Sequence, residues 1–100
     1  SSRTKPDVMD EVRARLATGM EVHKQLLLEA IRWRWRQNLV ASTPLVYKVY
    51  RTLCQQRGIQ PLSIVTVRRY LHRLQRQKVV ASQLVKLPEC KHPVRVWRLL

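Results

Sequence analysis

Four side chains in the second half of the chain offer the most concentrated chemistry: Thr66, Arg69, Arg73 and Arg76. At about 100° per residue they fall together on one side of a helix through this region, with Val65 and His72 at the border of that side. No acid stands among them. Arginine carries a planar fork of N–H donors that can take a phosphate or the edge of guanine in bidentate fashion. Thr66 and Val65, near the helix start, can touch a phosphate or a thymine methyl. The chemistry on offer is recognition of a polyanion; the alternative is a solvated face with no ligand.

Catalysis has little to work with. Beyond Glu29 the only carboxylate is Glu89, so the basic part of the chain lacks the paired acids used in acid–base or two-metal chemistry. His23, His72 and His92 are scattered, and Cys90 with His92 is too small a set for zinc. Two glycines, Gly19 and Gly58, cannot build a phosphate-cradling G-x-x-x-x-G-K-[ST] loop. We expect no enzyme in this chain, and no cofactor, metal or small-molecule substrate.

The charge distribution points the same way. Residues 1–29 carry five bases and five acids, whereas residues 30–100 carry fifteen bases and the single acid Glu89, so the whole net charge of +14 lies there. A self-repelling surface of that kind is costly without a polyanionic partner. An acidic membrane fits less well, because no helix pairs a basic face with an unused apolar one, and no apolar run reaches spanning length. Lys48 and Arg51 are candidate phosphate clamps. Lys91 and His92, with Lys86 and Arg95 beside them, are candidates to grip the DNA backbone or minor groove.

These residues need elements to position them. One hundred residues with 45% apolar composition suit one compact domain. The start at Ser1-Ser2 without Met suggests a piece of a longer protein. Pro6-Asp7 opens a first helix, with Val8, Met9, Val12 and Leu16 as its apolar stripe and Gly19 as its end. Residues 21–37 read as a second helix with a broad apolar surface that includes Leu28, Ile31, Trp33 and Trp35. Alternation in R-W-R-W-R sends the two tryptophans in roughly opposite directions, so at least one should pack in the core. After a break that could hold a small strand at Val40-Ala41, Thr43-Pro44 caps a third helix to about Arg57, and Gly58 supplies its left-handed exit.

Ser63 then caps the helix that carries the arginines, with Ile64, Val67, Tyr70, Leu71 and Leu74 on its inner side. Residues 79–87 and 94–100 are rich in β-formers and flank a tip at 88–93, which predicts a β-hairpin. The fold class is mainly α (α+β): a winged helix-turn-helix, helices followed by a C-terminal β-hairpin wing, with residues 1–19 as an N-terminal helical extension and 20–100 as the DNA-binding domain. Cys54 and Cys90 form no C-x-x-C; Cys54 should pack as a small hydrophobe and Cys90 lie in an exposed turn, which suits a reducing intracellular compartment.

The stretch from Tyr47 to Leu74, through Y-K-V-Y-R-T-L-C, Gly58 and Pro61-Leu62, resembles the C-terminal winged-helix domain of the archaeal origin-recognition initiators, relatives of the eukaryotic origin recognition complex ATPases. Tyr47, Tyr50, Leu53, Cys54, Gly58, Pro61, Leu62, Val67 and Leu74 carry the match. The resemblance implies a domain that binds duplex DNA at replication origins, with the recognition helix in the major groove, the wing at the minor groove and an AAA+ ATPase normally attached. By position it marks Thr66 and the basic residues after it, Arg68, Arg69, His72, Arg73 and Arg76, for DNA contact. The chain departs from the family at the wing tip, where Pro88 to Pro93 replace a Gly- and Arg-rich segment, and at Lys78, where a Gly is usual. The expected function is double-stranded DNA binding in replication initiation, in a nucleoid or nucleus. A protein-docking winged helix of a replication or repair assembly, a transcription regulator and an RNA binder remain as alternatives, the first using Leu28, Ile31 and Trp35.

Overall fold

The computed structural model describes the backbone of residues 4–100 and the side chains from Met20 onward. In order, the elements are α1 (Thr4–Arg36), α2 (Thr43–Gln56), α3 (Ile64–Arg76), β1 (Val80–Val85) and β2 (Val94–Leu99). The first two expected helices are one: α1 runs for 33 residues through Gly19. An interior glycine costs only about 1 kcal/mol relative to alanine. The residues that follow, Met20, Glu21, Lys24, Gln25 and Leu26 among them, are good helix formers with no proline to stop them. The apolar stripe expected at Val8, Met9, Val12 and Leu16 lies outside the described side chains.

Each helix ends in the same way. Asn38, Gly58 and Lys78 adopt φ of 57°, 66° and 61°. Each time the next N–H reaches back five residues, Leu39 to the Arg34 carbonyl at 2.8 Å, Ile59 to Cys54 at 2.8 Å and Val79 to Leu74 at 3.0 Å. This left-handed closure satisfies carbonyls that would otherwise lack a partner and turns the chain sharply. The starts differ. Ser63 takes the Thr66 N–H at 3.2 Å and caps α3 as expected. At α2 the cap position belongs to Ser42, which has extended backbone and no side-chain bond, rather than to Thr43. Thr43 is buried, and its hydroxyl instead accepts the Trp97 indole N–H at 2.8 Å.

The core joins all the elements: Leu26, Leu27, Ala30 and Ile31 from α1, Val46, Tyr50 and Cys54 from α2, Val67, Leu71 and Leu74 from α3, and Val80 and Trp97 from the hairpin. Burying each such aliphatic side chain contributes about 1.5–3 kcal/mol. The aromatics in that core are Tyr50 and Trp97. Trp33 and Trp35 remain 45% and 50% exposed, contrary to the expectation that one of them would pack inside. The leucine and isoleucine face of α1 already fills its share of the interior, and Trp97 enters from the hairpin side.

The hairpin is antiparallel, registered from Val80↔Leu99 to Val85↔Val94. Its strands stop at Val85 and resume at Val94, so the tip is longer than the sequence suggests. It is held by a Cys90 N–H bond to the Leu87 carbonyl at 3.1 Å. Cys54 is buried and Cys90 is half-buried within this tip. The other edge of β2 is covered in part: the Trp97 N–H donates to the Ala41 carbonyl at 2.9 Å, and Ser42 pairs with Val96 in a single bridge. That bridge is what becomes of the small strand expected at Val40-Ala41. Trp35 completes the edge by donating its indole N–H to the Trp97 carbonyl at 2.7 Å.

Candidate nucleic-acid interface

The α3 helix is fixed at three levels. Val67, Leu71 and Leu74 recur at helical spacing and are buried, with Ile64 and Tyr70 half-buried beside them. The Tyr70 phenol donates to the Met20 carbonyl at 3.2 Å, which ties α3 to α1. The turn that leads into α3 is gripped by two tyrosines of α2. Tyr47 donates to the Leu62 carbonyl at 2.9 Å, and the Leu62 N–H donates to the Tyr50 oxygen at 2.9 Å. Leu62 therefore has both backbone groups satisfied by side chains one turn apart on the preceding helix.

Tyr50 is also bonded to His23 Nδ1 at 2.7 Å. The imidazole tautomer decides which of the two donates in that bond. Burial lowers the His23 pKa and raises that of Tyr50, so both groups are held neutral. This chain of bonds links α1, α2 and the entry to α3.

With its inner face locked, α3 turns Thr66, Arg68, Arg69, Arg73 and Arg76 to solvent. Val65 is 51% exposed among them. The Thr66 hydroxyl lies 3.1 Å from that of Ser63 and keeps hydrogen-bonding capacity for an outside group. Lys48 and Arg51 are exposed on α2 and line a hollow with Gly58, Ile59, Gln60 and Pro61, the turn that enters α3. The Arg51 guanidinium lies 5.9 Å from the Tyr47 ring centroid, which steadies it by a cation–π contact. At the wing tip Lys91 and His92 are exposed, and the Lys86 ammonium donates to the Lys91 carbonyl at 3.1 Å.

Two of the twelve expected contact residues are half-buried rather than exposed. His72 is half-buried, its ring meeting Trp97 edge-on at 5.3 Å and 77°. Arg95 is half-buried and donates to the Ser82 hydroxyl at 2.7 Å, which donates in turn to the Gln75 side-chain oxygen at 2.5 Å. Through Ser82, Arg95 of β2 is linked to Gln75 of α3. Gln75, Ser82 and Trp97 are the residues that sequence reasoning missed. The alternation in Val94-Arg95-Val96-Trp97 was the available signal, since it puts Arg95 and Trp97 on one face of the hairpin.

Three helices followed by a two-stranded antiparallel hairpin, with a short turn between α2 and α3, define this domain as a winged helix. Among the described residues no helix is long and apolar enough to cross a membrane. Residues 16–97 match the family described as CDC6, C terminal winged helix domain, and the chain belongs to that family. It is thus a winged helix of the replication-initiator type. No curated protein matches it.

Proposed function

We propose that this domain binds double-stranded DNA and serves origin binding in a replication initiator, in the nucleoid or nucleus. The observation that carries this reading is the exposed row of Thr66, Arg69, Arg73 and Arg76 on a helix whose opposite face is locked into the core. The helix enters the major groove, where its arginines meet base edges or phosphates. Arg68 on the same helix, and Lys48 and Arg51 beside the turn, take flanking phosphates. Lys86, Lys91 and His92 bring the wing tip to the backbone or minor groove. His72 and Arg95 act from behind, holding α3 and the hairpin together. An AAA+ ATPase elsewhere in the same initiator would supply nucleotide control.

The test is fluorescence anisotropy with a random-sequence duplex, the matching single strand and a duplex RNA, each across a salt series. Duplex DNA should bind best, and about 6 neutralised phosphates give a log–log salt slope near −5. Replacing Arg69, Arg73 and Arg76 together by Ala should weaken duplex binding by at least about ten-fold. A folded triple variant with unchanged affinity would overturn the assignment of α3, and a preference for RNA or single strands would overturn the target.

A further inference from the structure

The hairpin has a second face. Alternation puts Gln83, Val85 and Val96 opposite to Trp97 and Ser82, and the contacts of Trp97 with His72 and of Ser82 with Gln75 put α3 on the Trp97 side. On the side away from α3, Val85, Leu87 and Val96 meet Trp35, Leu39 and Val40 around a mainly apolar groove of about 410 Å³. Trp35 and Leu39 are 50% and 42% exposed there. A second hollow adjoins it at Trp35, bordered by Arg32, Arg36 and Arg98, all exposed.

Among the described side chains these arginines have no counter-charge. The acids among the described side chains are Glu21, Glu29 and Glu89. Glu29 pairs with Arg57 at 3.0 Å, Glu21 accepts from Gln25, and Glu89 lies in the wing tip. An occupant must therefore bring two things, an apolar side chain for the groove and carboxylates for the arginines. A nucleic-acid backbone supplies the charge but nothing to fill an aliphatic hollow, whereas an acidic peptide with a bulky apolar residue supplies both.

We propose that the groove between Trp35 and the outer face of the hairpin docks an acidic peptide segment of a partner protein, anchored by one bulky apolar side chain. The site is independent of DNA binding. Because it lies across the hairpin from α3, peptide and duplex can be held together.

The test uses fluorescent peptides of Glu and Asp with Leu, Phe or Trp at the centre, and a matched peptide with Ala there. They are titrated to about 1 mM against the 100-residue chain. Saturable binding by at least one apolar-centred peptide is expected, with amide and methyl shifts at Leu39, Val85 and Leu87 and at the Trp35 indole. Leu39→Glu, and separately Arg36→Glu with Arg98→Glu, should each weaken it by at least about ten-fold. Leu39→Glu should leave duplex affinity within about two-fold. Both changes fall on exposed side chains, and an unchanged amide spectrum elsewhere confirms folding. Trp35 is left intact because it supports the Trp97 carbonyl. Lack of saturation, equal binding by the Ala peptide, shifts on α3 instead of the groove, or displacement of the peptide by a short duplex would each overturn the proposal.

Discussion

The backbone N–H of Leu62 donates to the phenol oxygen of Tyr50 at 2.9 Å, so a fully buried side chain of α2 holds the turn from which α3 departs. The angle of α3 therefore depends on a polar contact inside an otherwise apolar core. Tyr50→Phe keeps the ring but leaves the Leu62 N–H and His23 without a partner, which should cost about 1–3 kcal/mol. Tyr47→Phe removes only the bond to the Leu62 carbonyl, and about 0.5–1.5 kcal/mol is expected. Urea unfolding of the two variants measures the difference.

Stability should depend on pH through His23. Burial lowers its pKa below the ordinary 6.5, so the unfolded chain binds the proton more readily than the folded one. The contribution is complete above about pH 6.5 and is lost as pH falls through the folded-state value. Thermal melts taken from about pH 7.5 to pH 5 should show this fall, and His23→Gln should flatten it.

Lys78 occupies a left-handed conformation, φ 61°, that costs a non-glycine residue about 1–2 kcal/mol. Lys78→Gly removes that strain at the price of a more flexible unfolded chain. A net gain of about 0.5–1 kcal/mol in chemical denaturation is expected, with the hairpin register unchanged.

Trp97→Ala should cost about 3–5 kcal/mol, because the indole is fully buried and bonded to Thr43. Thr43→Val retains the volume but strands the indole N–H, for about 1–3 kcal/mol. Trp33→Ala, on a half-exposed ring, should fall well below either value in the same unfolding assay.

In DNA binding, the three arginines of α3 should be visible in the salt dependence as well as in the affinity. If each meets one phosphate, changing all three to Ala reduces the magnitude of the log–log slope by about 2.7. If they read base edges instead, affinity falls with a smaller change in slope. Anisotropy titrations at several salt concentrations separate the two.

What was legible in the sequence was written locally. Ser63 before a helical apolar pattern, Gly58 after one, and β-formers on either side of Pro88 and Pro93 depend on neighbours a few residues away, and the structure has a cap, a left-handed exit and a hairpin at those places. The inner row of α3 was equally plain. Gly19 misled because a glycine permits a helix end without requiring one. Which tryptophan is buried depends on where β2 docks, and R-W-R-W-R contains no information about β2. The same limit hid the link from Arg95 through Ser82 to Gln75, whose members are brought together only by the docking of the hairpin on α3. For the candidate interface, exposure of the arginine row was legible from periodicity, but the diversion of His72 and Arg95 into contacts with the hairpin was not.

That link has a mechanical meaning. The Gln75–Ser82–Arg95 strut braces the hairpin against α3 on the side away from Leu39, so bonds within the fold hold the gap between these two elements. If the domain binds DNA as proposed, a duplex that fits the gap without bending would bind at little elastic cost, and one with the wrong groove width would have to deform to match. Selectivity of that kind would fall on base pairs that no side chain touches. Loosening the strut would blur the choice among duplexes more than it weakens the hold on any one of them.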